Sequence, residues 1–385
     1  MDNLTHSLVG LAAAKAGLER RTPYAVFVCV AAANLPDIDI LALVKGPAFY
    51  LANHRGITHS LVGTFTLAVV FPLLFFACER LTARVRGREP RARLGGLLLC
   101  SLVLSASHPL LDWTNSYGVR PFLPWDGRWI YGDLLFVVDP WVWLMLGGAC
   151  FLLTATTRVR AAAWGLLALV ATTLFFRVSL PTDSSVPLFA LGLWTICLFA
   201  LFVMHLAGVG ARVGPWAAAV AFALVLAYLG ALSLLHARAR EEAVRLSDDL
   251  AVRLSDDLNA PPAGRVLRVA ATPVLADPTT WRCLADAESE TFRYDLKLGD
   301  AFIEDLSNVA VVHKPAGADA EIVGRAARDA DARVLLDFAR FPVARVLPRE
   351  GGGWVVRFAD LRFTEPGGGR ARPGGFALDV PVGAP

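Results

Sequence analysis

The chain has 385 residues, 55% of them hydrophobic, and a mean hydropathy of +0.51. That is too apolar for an ordinary soluble protein of this size and points to a polytopic membrane protein. A formal net charge of +3, with the arginines gathered in a few loops and in the C-terminal third, argues against a nucleic-acid partner.

The opening Met1-Asp-Asn-Leu-Thr-His6 has no basic region ahead of its apolar run, so a cleaved signal peptide is not expected. Residues 4–18 read as a short apolar helix ending at Glu19-Arg20-Arg21. Pro23 opens the next helix, a favoured first-turn position, and residues 24–33 lead to Leu35-Pro-Asp37-Ile-Asp39. Then comes His54-Arg-Gly-Ile-Thr-His59, followed by an apolar run at 57–78 that is long enough to span, since a spanning helix needs about 20 residues. A loop holding Arg80, Arg84, Arg86, Arg88, Arg91 and Arg93 separates it from a second apolar run, 94–111, which ends in His108-Pro-Leu-Leu-Asp112. A dense basic loop marks the cytoplasmic side. The two helices are therefore expected to form a hairpin that turns inside the cell, leaving His54, His59, His108 and Asp112 on the outer face.

Residues 113–133 read as an outer loop with Trp125, Trp129 and Tyr131, residue types enriched at the membrane interface. Further spans are expected at 134–156, 161–180, 186–209 and 216–235, and the basic loops joining them fall at their inner ends. The fold class expected is an all-α polytopic membrane domain of about eight helical segments (1–237), then a connector (238–263) and a small α+β extracytoplasmic domain (264–385). In the connector the octad AVRLSDDL at 243–250 recurs identically at 251–258, which suits an exposed helix. Strand-like alternation at 265–271, 291–298 and 354–363, with a helix near 318–341, supports the α+β reading.

Ligand-type side chains collect on the expected outer face. His108 and Asp112 are four apart and share a helix face. His54 and His59, five apart across Gly56, suit a loop-to-helix junction. With His6, Asp37 and Asp39 the set fits one to three first-row ions, zinc foremost, with manganese or iron also admissible. Taken singly, each has a plainer account: a lone His6 as an interfacial residue, Asp37 as a turn cap, His108 and Asp112 as a hydrogen-bonded pair. Ionisable groups at the ends of apolar helices are disfavoured unless they pair, bind or react, and seven on one side favour metal binding. His205, His236 and His313 have no such company and read as structural or surface residues. Asp126, Asp133 and Asp139 could orient ligands, and Arg55, Arg120 and Arg128 could grip a phosphate. The six cysteines build neither a disulfide framework nor a thiolate zinc site, five lying in apolar segments and Cys283 in polar sequence.

Four motifs in order, DNLTHSLVG at 2–10, LPDID at 35–39, HRGITHS at 54–60 and HPLLD at 108–112, resemble the YdjM-type inner-membrane proteins, a family described as metal-dependent hydrolases and linked to the LexA regulon. Through its His and Asp pattern that family is in turn similar to zinc-dependent phospholipase C and the single-strand nucleases, α-helical enzymes with a zinc cluster. The resemblance implies His108 and Asp112 as the His-x-x-x-Asp ligand pair, His59 and Asp39 as further ligands, and His6 as the N-terminal contribution. The second His-x-x-x-Asp/Glu of the soluble enzymes has no counterpart here. The expected function is a membrane-bound hydrolase of the inner membrane, with metal ligands His6, Asp39, His54, His59, His108 and Asp112, catalytic carboxylates Asp37 and Asp39, and a lipid or lipid-phosphate substrate. The alternatives are a metal-binding transporter or sensor, disfavoured because residues 134–235 carry few ionisable side chains, and a scaffold with a structural metal.

Overall fold

The computed structural model describes residues 1–179, 186–257, 264–299, 309–349, 351–364 and 376–383. They form two compact units. The first comprises Met1–Ile38, Arg55–Leu234 and Pro273–Pro278 and is helical; the second comprises Asp39–His54, Leu235–Thr272 and Thr279–Pro385.

Among the described residues six helical stretches are long and apolar enough to cross a membrane: Ala25–Lys45, Leu61–Val85, Leu94–Trp113, Arg158–Arg177, Leu188–Leu206 and Trp216–Arg253. They make this a multi-pass membrane protein. Two of the eight expected segments fall short. Helices α1 (Asn3–Lys15) and α6 (Pro140–Thr154) have 13 and 15 residues, about 20 Å at 1.5 Å per residue, against a hydrocarbon core of about 30 Å. In α6 the cause is local. Asp139 caps the amides of Trp141 and Val142 and Pro140 takes the first helical position, so residues 134–139 stay outside the helix, tied by the Leu134 and Leu135 amides to the Thr114 carbonyl.

The remaining elements of this unit are α2 (Ala25–Asn34), α4 (Leu61–Val85), α5 (Leu94–Trp113), α7 (Arg158–Ser179), α8 (Leu188–Leu206), α9 (Val209–Val213) and the part of α10 (Trp216–Asp257) up to Leu234. The 3-10 stretch Leu35–Lys45 continues α2, and α3 (Pro47–Asn53) follows it. Helix α1 packs on α2, and α2 and α4 pack on α5. Gly10 allows the first contact: a Cβ there would sit 2.7 Å from the Cys29 carbonyl oxygen and 2.8 Å from the Val30 Cα. Small residues at crossings let apolar helices approach closely, and the buried Ala12, Ala14, Ala32 and Ala33 extend the same seam. Outward faces remain apolar, with Leu61, Phe65, Leu74 and Leu81 each more than 60% exposed, as lipid-facing positions must be.

The second unit contains two antiparallel sheets. One runs β1 (Val266–Val274), β2 (Asp277–Ala287), β3 (Glu290–Lys297), β4 (Ala310–His313) in that order; the other is β5 (Pro342–Pro348), β6 (Trp354–Asp360), β7 (Ala377–Val382). Helices α11 (Ala318–Ala326) and α12 (Ala330–Phe338) bury Ile322, Ala326 and Leu335 against Val356, Phe358 and Val380 of the second sheet. The expected connector is instead a packing face. Ala243, Leu246 and Leu250 of the first octad are buried with Trp281, Phe292 and Tyr294, and the Tyr294 hydroxyl donates to the Ala243 carbonyl at 3.0 Å. Period decides this: positions 243, 246 and 250 recur at three and four residues, one helical stripe. The end of the second octad, residue 258, and the rest of the expected connector to 263 lie outside the described residues. Residues 39–54 also join this unit, α3 packing on α12 with Leu51 against the second core.

Candidate metal centre

Four helix ends of the first unit bring their polar side chains to one place. The junction before α4 is set by sequence: Gly56 opens a single 3-10 turn, Ile57–His59, and the Ser60 hydroxyl caps the Gly63 amide at 3.1 Å to start the helix. The apolar run at 57–78 therefore becomes helical only from Leu61 and then continues to Val85. Gly63 is required there, because a Cβ would fall 1.7 Å from the Ile57 carbonyl oxygen. His59 is thus held off the helix, side chain buried, at the level of the last turn of α5.

On α5, His108 and Asp112 face the same way, both buried. His108 Nδ1 donates to the Ala33 carbonyl at the end of α2, at 2.6 Å. That hydrogen bond orients the ring and selects the tautomer in which, when the ring is neutral, an unprotonated Nε2 faces inward. His108 Nε2 lies 3.1 Å from His59 Nε2 and 3.4 Å from both Asp37 Oδ1 and Asp112 Oδ2. His59 Nε2 lies 3.4 Å from Asp37 Oδ1 and 3.2 Å from Asp112 Oδ2.

These separations test whether a metal fits. Zinc binds imidazole nitrogen and carboxylate oxygen at about 2.0–2.2 Å, so tetrahedral donors stand about 3.3–3.5 Å apart. Five of the six donor-to-donor distances are 3.1 to 3.4 Å, and all four donors lie within 4.8 Å of one another. Asp112 Oδ2 is buried without a hydrogen bond. Lone pairs crowded in this way repel unless a cation stands among them, and two imidazoles with two carboxylates are a donor set suited to zinc, manganese or iron. The group Asp37, His59, His108 and Asp112 can hold a metal ion.

Around it sits a supporting shell. His6, on α1, stacks on His108 with ring centroids 3.7 Å apart, and its Nε2 is 3.5 Å from Asp112 Oδ1. Both ring nitrogens of His6 are buried without hydrogen-bond partners. Arg55 Nη2 meets Asp112 Oδ1 at 3.0 Å, and its Nη1 donates to Asn115 Oδ1 at 3.0 Å. Arg55 adopts φ +52°, a conformation uncommon for a side-chain-bearing residue and kept where its surroundings demand it. The Met1 α-amine also contacts Asp112 Oδ1, and burial pushes that amine down to about 6 while Asp112 pulls it up.

Of the residues expected from sequence, the structure brings together His6, Asp37, His59, His108 and Asp112. Asp39 and His54, expected among the ligands, pair with each other, His54 Nδ1 to Asp39 Oδ1 at 3.0 Å, with Tyr50 stacked on His54 at 4.6 Å. Asp37, expected as a base, stands with His59, His108 and Asp112 among the ligands. The Met1 amine, Asn115 and the Ala33 carbonyl were not foreseen; an amine and a carbonyl leave no side-chain signal.

Residues 1–183 match the YdjM inner membrane protein family. The chain is also 27% identical over 152 residues to a protein of Bacillus subtilis (strain 168) described as "Uncharacterized protein YfhP". That match covers 37% of this chain and spans less than half, 43%, of the relative's length. No solved structure matches.

Proposed function

We propose that this YdjM-type membrane protein is a metal-dependent hydrolase of the inner membrane acting on a phosphoester in a lipid or lipid-linked substrate. The convergence of four donors, three of them buried, at tetrahedral spacing carries the reading. Asp37, His59, His108 and Asp112 would hold the ion, zinc being the best fit to the donor set. When bound, the ion supplies a Lewis acid that polarises an ester and brings the pKa of a water towards neutrality.

The chain's own groups do the rest. Arg55 and the Met1 amine hold the Asp112 carboxylate from one side, leaving its Oδ2 towards the two imidazoles. His108 is locked by the Ala33 carbonyl and braced by the His6 ring. The Asp37 side chain is 14% exposed, against 1% for that of Asp112, so Asp37 is the ligand carboxylate that meets solvent, on the side from which a substrate would reach the ion. By the charge rule the site opens at the outer face, beside lipid headgroups, where a phosphoester lies within reach.

The test is detergent-purified full-length chain, metal content measured, assayed on phospholipids, lipid phosphates and soluble phosphodiesters. Metal-dependent release of product from one class supports the reading. If all three stay intact with a full equivalent of zinc or manganese bound, the hydrolase assignment falls.

A further inference from the structure

An apolar cavity of about 470 Å³ lies between α4 and α5, lined by Leu61, Phe65, Ala68, Leu102, Ala106 and Leu110 among others, and His59 is part of its wall. Val119, Pro121 and Ile130 of the loop after α5 roof it. That roof is fastened: the Leu61 amide donates to the Pro121 carbonyl at 2.9 Å, and Val119 and Ile130 exchange backbone hydrogen bonds at 2.9 and 3.0 Å. The volume is that of a ligand pocket rather than a packing defect.

We propose that this groove takes the hydrocarbon chain of a membrane lipid phosphoester and so selects the substrate of the metal centre. The inference rests on the hydrolase reading for the word substrate, but the groove stands on its own geometry. One end is polar and chemical: His59 presents Nε2 to Asp37, Asp112 and His108. The lining also faces lipid, since Leu61, Phe65 and Leu110 are 64%, 63% and 64% exposed on helices long and apolar enough to span the membrane. A chain entering sideways from the bilayer stays in apolar surroundings throughout while its headgroup arrives at the ligands. A free phosphate or a soluble sugar phosphate has nothing to place in such a groove.

The experiment uses the full chain in detergent, loaded with zinc, and a long-chain alkyl phosphate carrying a diazirine near its chain end. Photolabelling mapped by peptide mass is expected on residues 61–68 and 102–113. It should fall at least tenfold in Ala106→Phe and in Leu110→Trp, both bulky changes at exposed groove positions, with zinc content unchanged as proof of folding. Hydrolysis by the unaltered chain should also rise at least tenfold in kcat/KM from a two-carbon to a sixteen-carbon alkyl phosphate. Label spread evenly over the exposed faces of α7 and α8, or indifferent to both substitutions, would overturn the groove even if hydrolysis is seen. Groove labelling without any hydrolysis would keep the lipid site and remove only the hydrolase reading.

Discussion

Asp112 is the residue on which the centre turns, because one carboxylate meets a guanidinium and an amine on one oxygen and two imidazoles on the other. Removing one partner of a buried ion pair leaves the other charge uncompensated and costs about 3–5 kcal/mol. Arg55→Ala, at a side chain 4% exposed, should therefore lower thermal stability sharply, and a melting curve of purified protein checks it. The two aspartates of the LPDID stretch make a sharper comparison. Asp37→Asn is expected to reduce bound zinc at least tenfold by elemental analysis, as is His108→Ala. Asp39→Asn, whose carboxylate pairs with His54, should retain zinc to within about twofold. Equal losses at 37 and 39 would show that the Asp39–His54 pair also holds metal. Both carboxylates were visible in the sequence as candidates; which one meets His59 and His108 and which meets His54 is set by packing.

At the scale of elements, the start of α4 positions His59, and two small residues do the positioning. Ser60 caps the helix and Gly63 lies under the Ile57 carbonyl. Ser60→Ala should cost about 1 kcal/mol, the usual loss of an N-cap, seen as a modest drop in melting temperature. Gly63→Ala forces the turn away from the helix, at about 1–3 kcal/mol for overpacking, and should also weaken zinc binding because His59 moves with the turn. A zinc affinity unchanged in a folded Gly63→Ala protein would show that the turn is not what places the imidazole. In the second unit, Cys283 on β2 is wholly buried beside Tyr294, and burial pushes its thiol well above the ordinary range. It should stay unlabelled by maleimide until the protein is denatured, because the thiolate is the reactive form.

For the whole molecule, the arginine-rich turn between α4 and α5 and the aromatic loop after α5 are expected on opposite sides of the membrane. Arg86 is exposed in the first and Trp125 is 78% exposed in the second. In intact cells a membrane-impermeant thiol reagent should label Trp125→Cys at once and Arg86→Cys only after permeabilisation. The reverse order would invert the site's orientation while leaving its geometry intact.

By itself the sequence determined that the chain crosses a membrane several times, that α4 and α5 form a hairpin, and that His59, His108 and Asp112 lie at neighbouring helix ends. Hydropathy runs, loop charge and the four-residue helical spacing are local properties, and local properties survive in a linear reading. The tertiary structure alone decided that Asp37 rather than Asp39 joins the imidazoles, that Arg55 and the Met1 amine hold Asp112, that an apolar groove ends on His59, and that the repeated octad packs on a sheet. Each of these depends on which surfaces meet. Distances between residues far apart in sequence are set by packing, of which composition and periodicity carry no record.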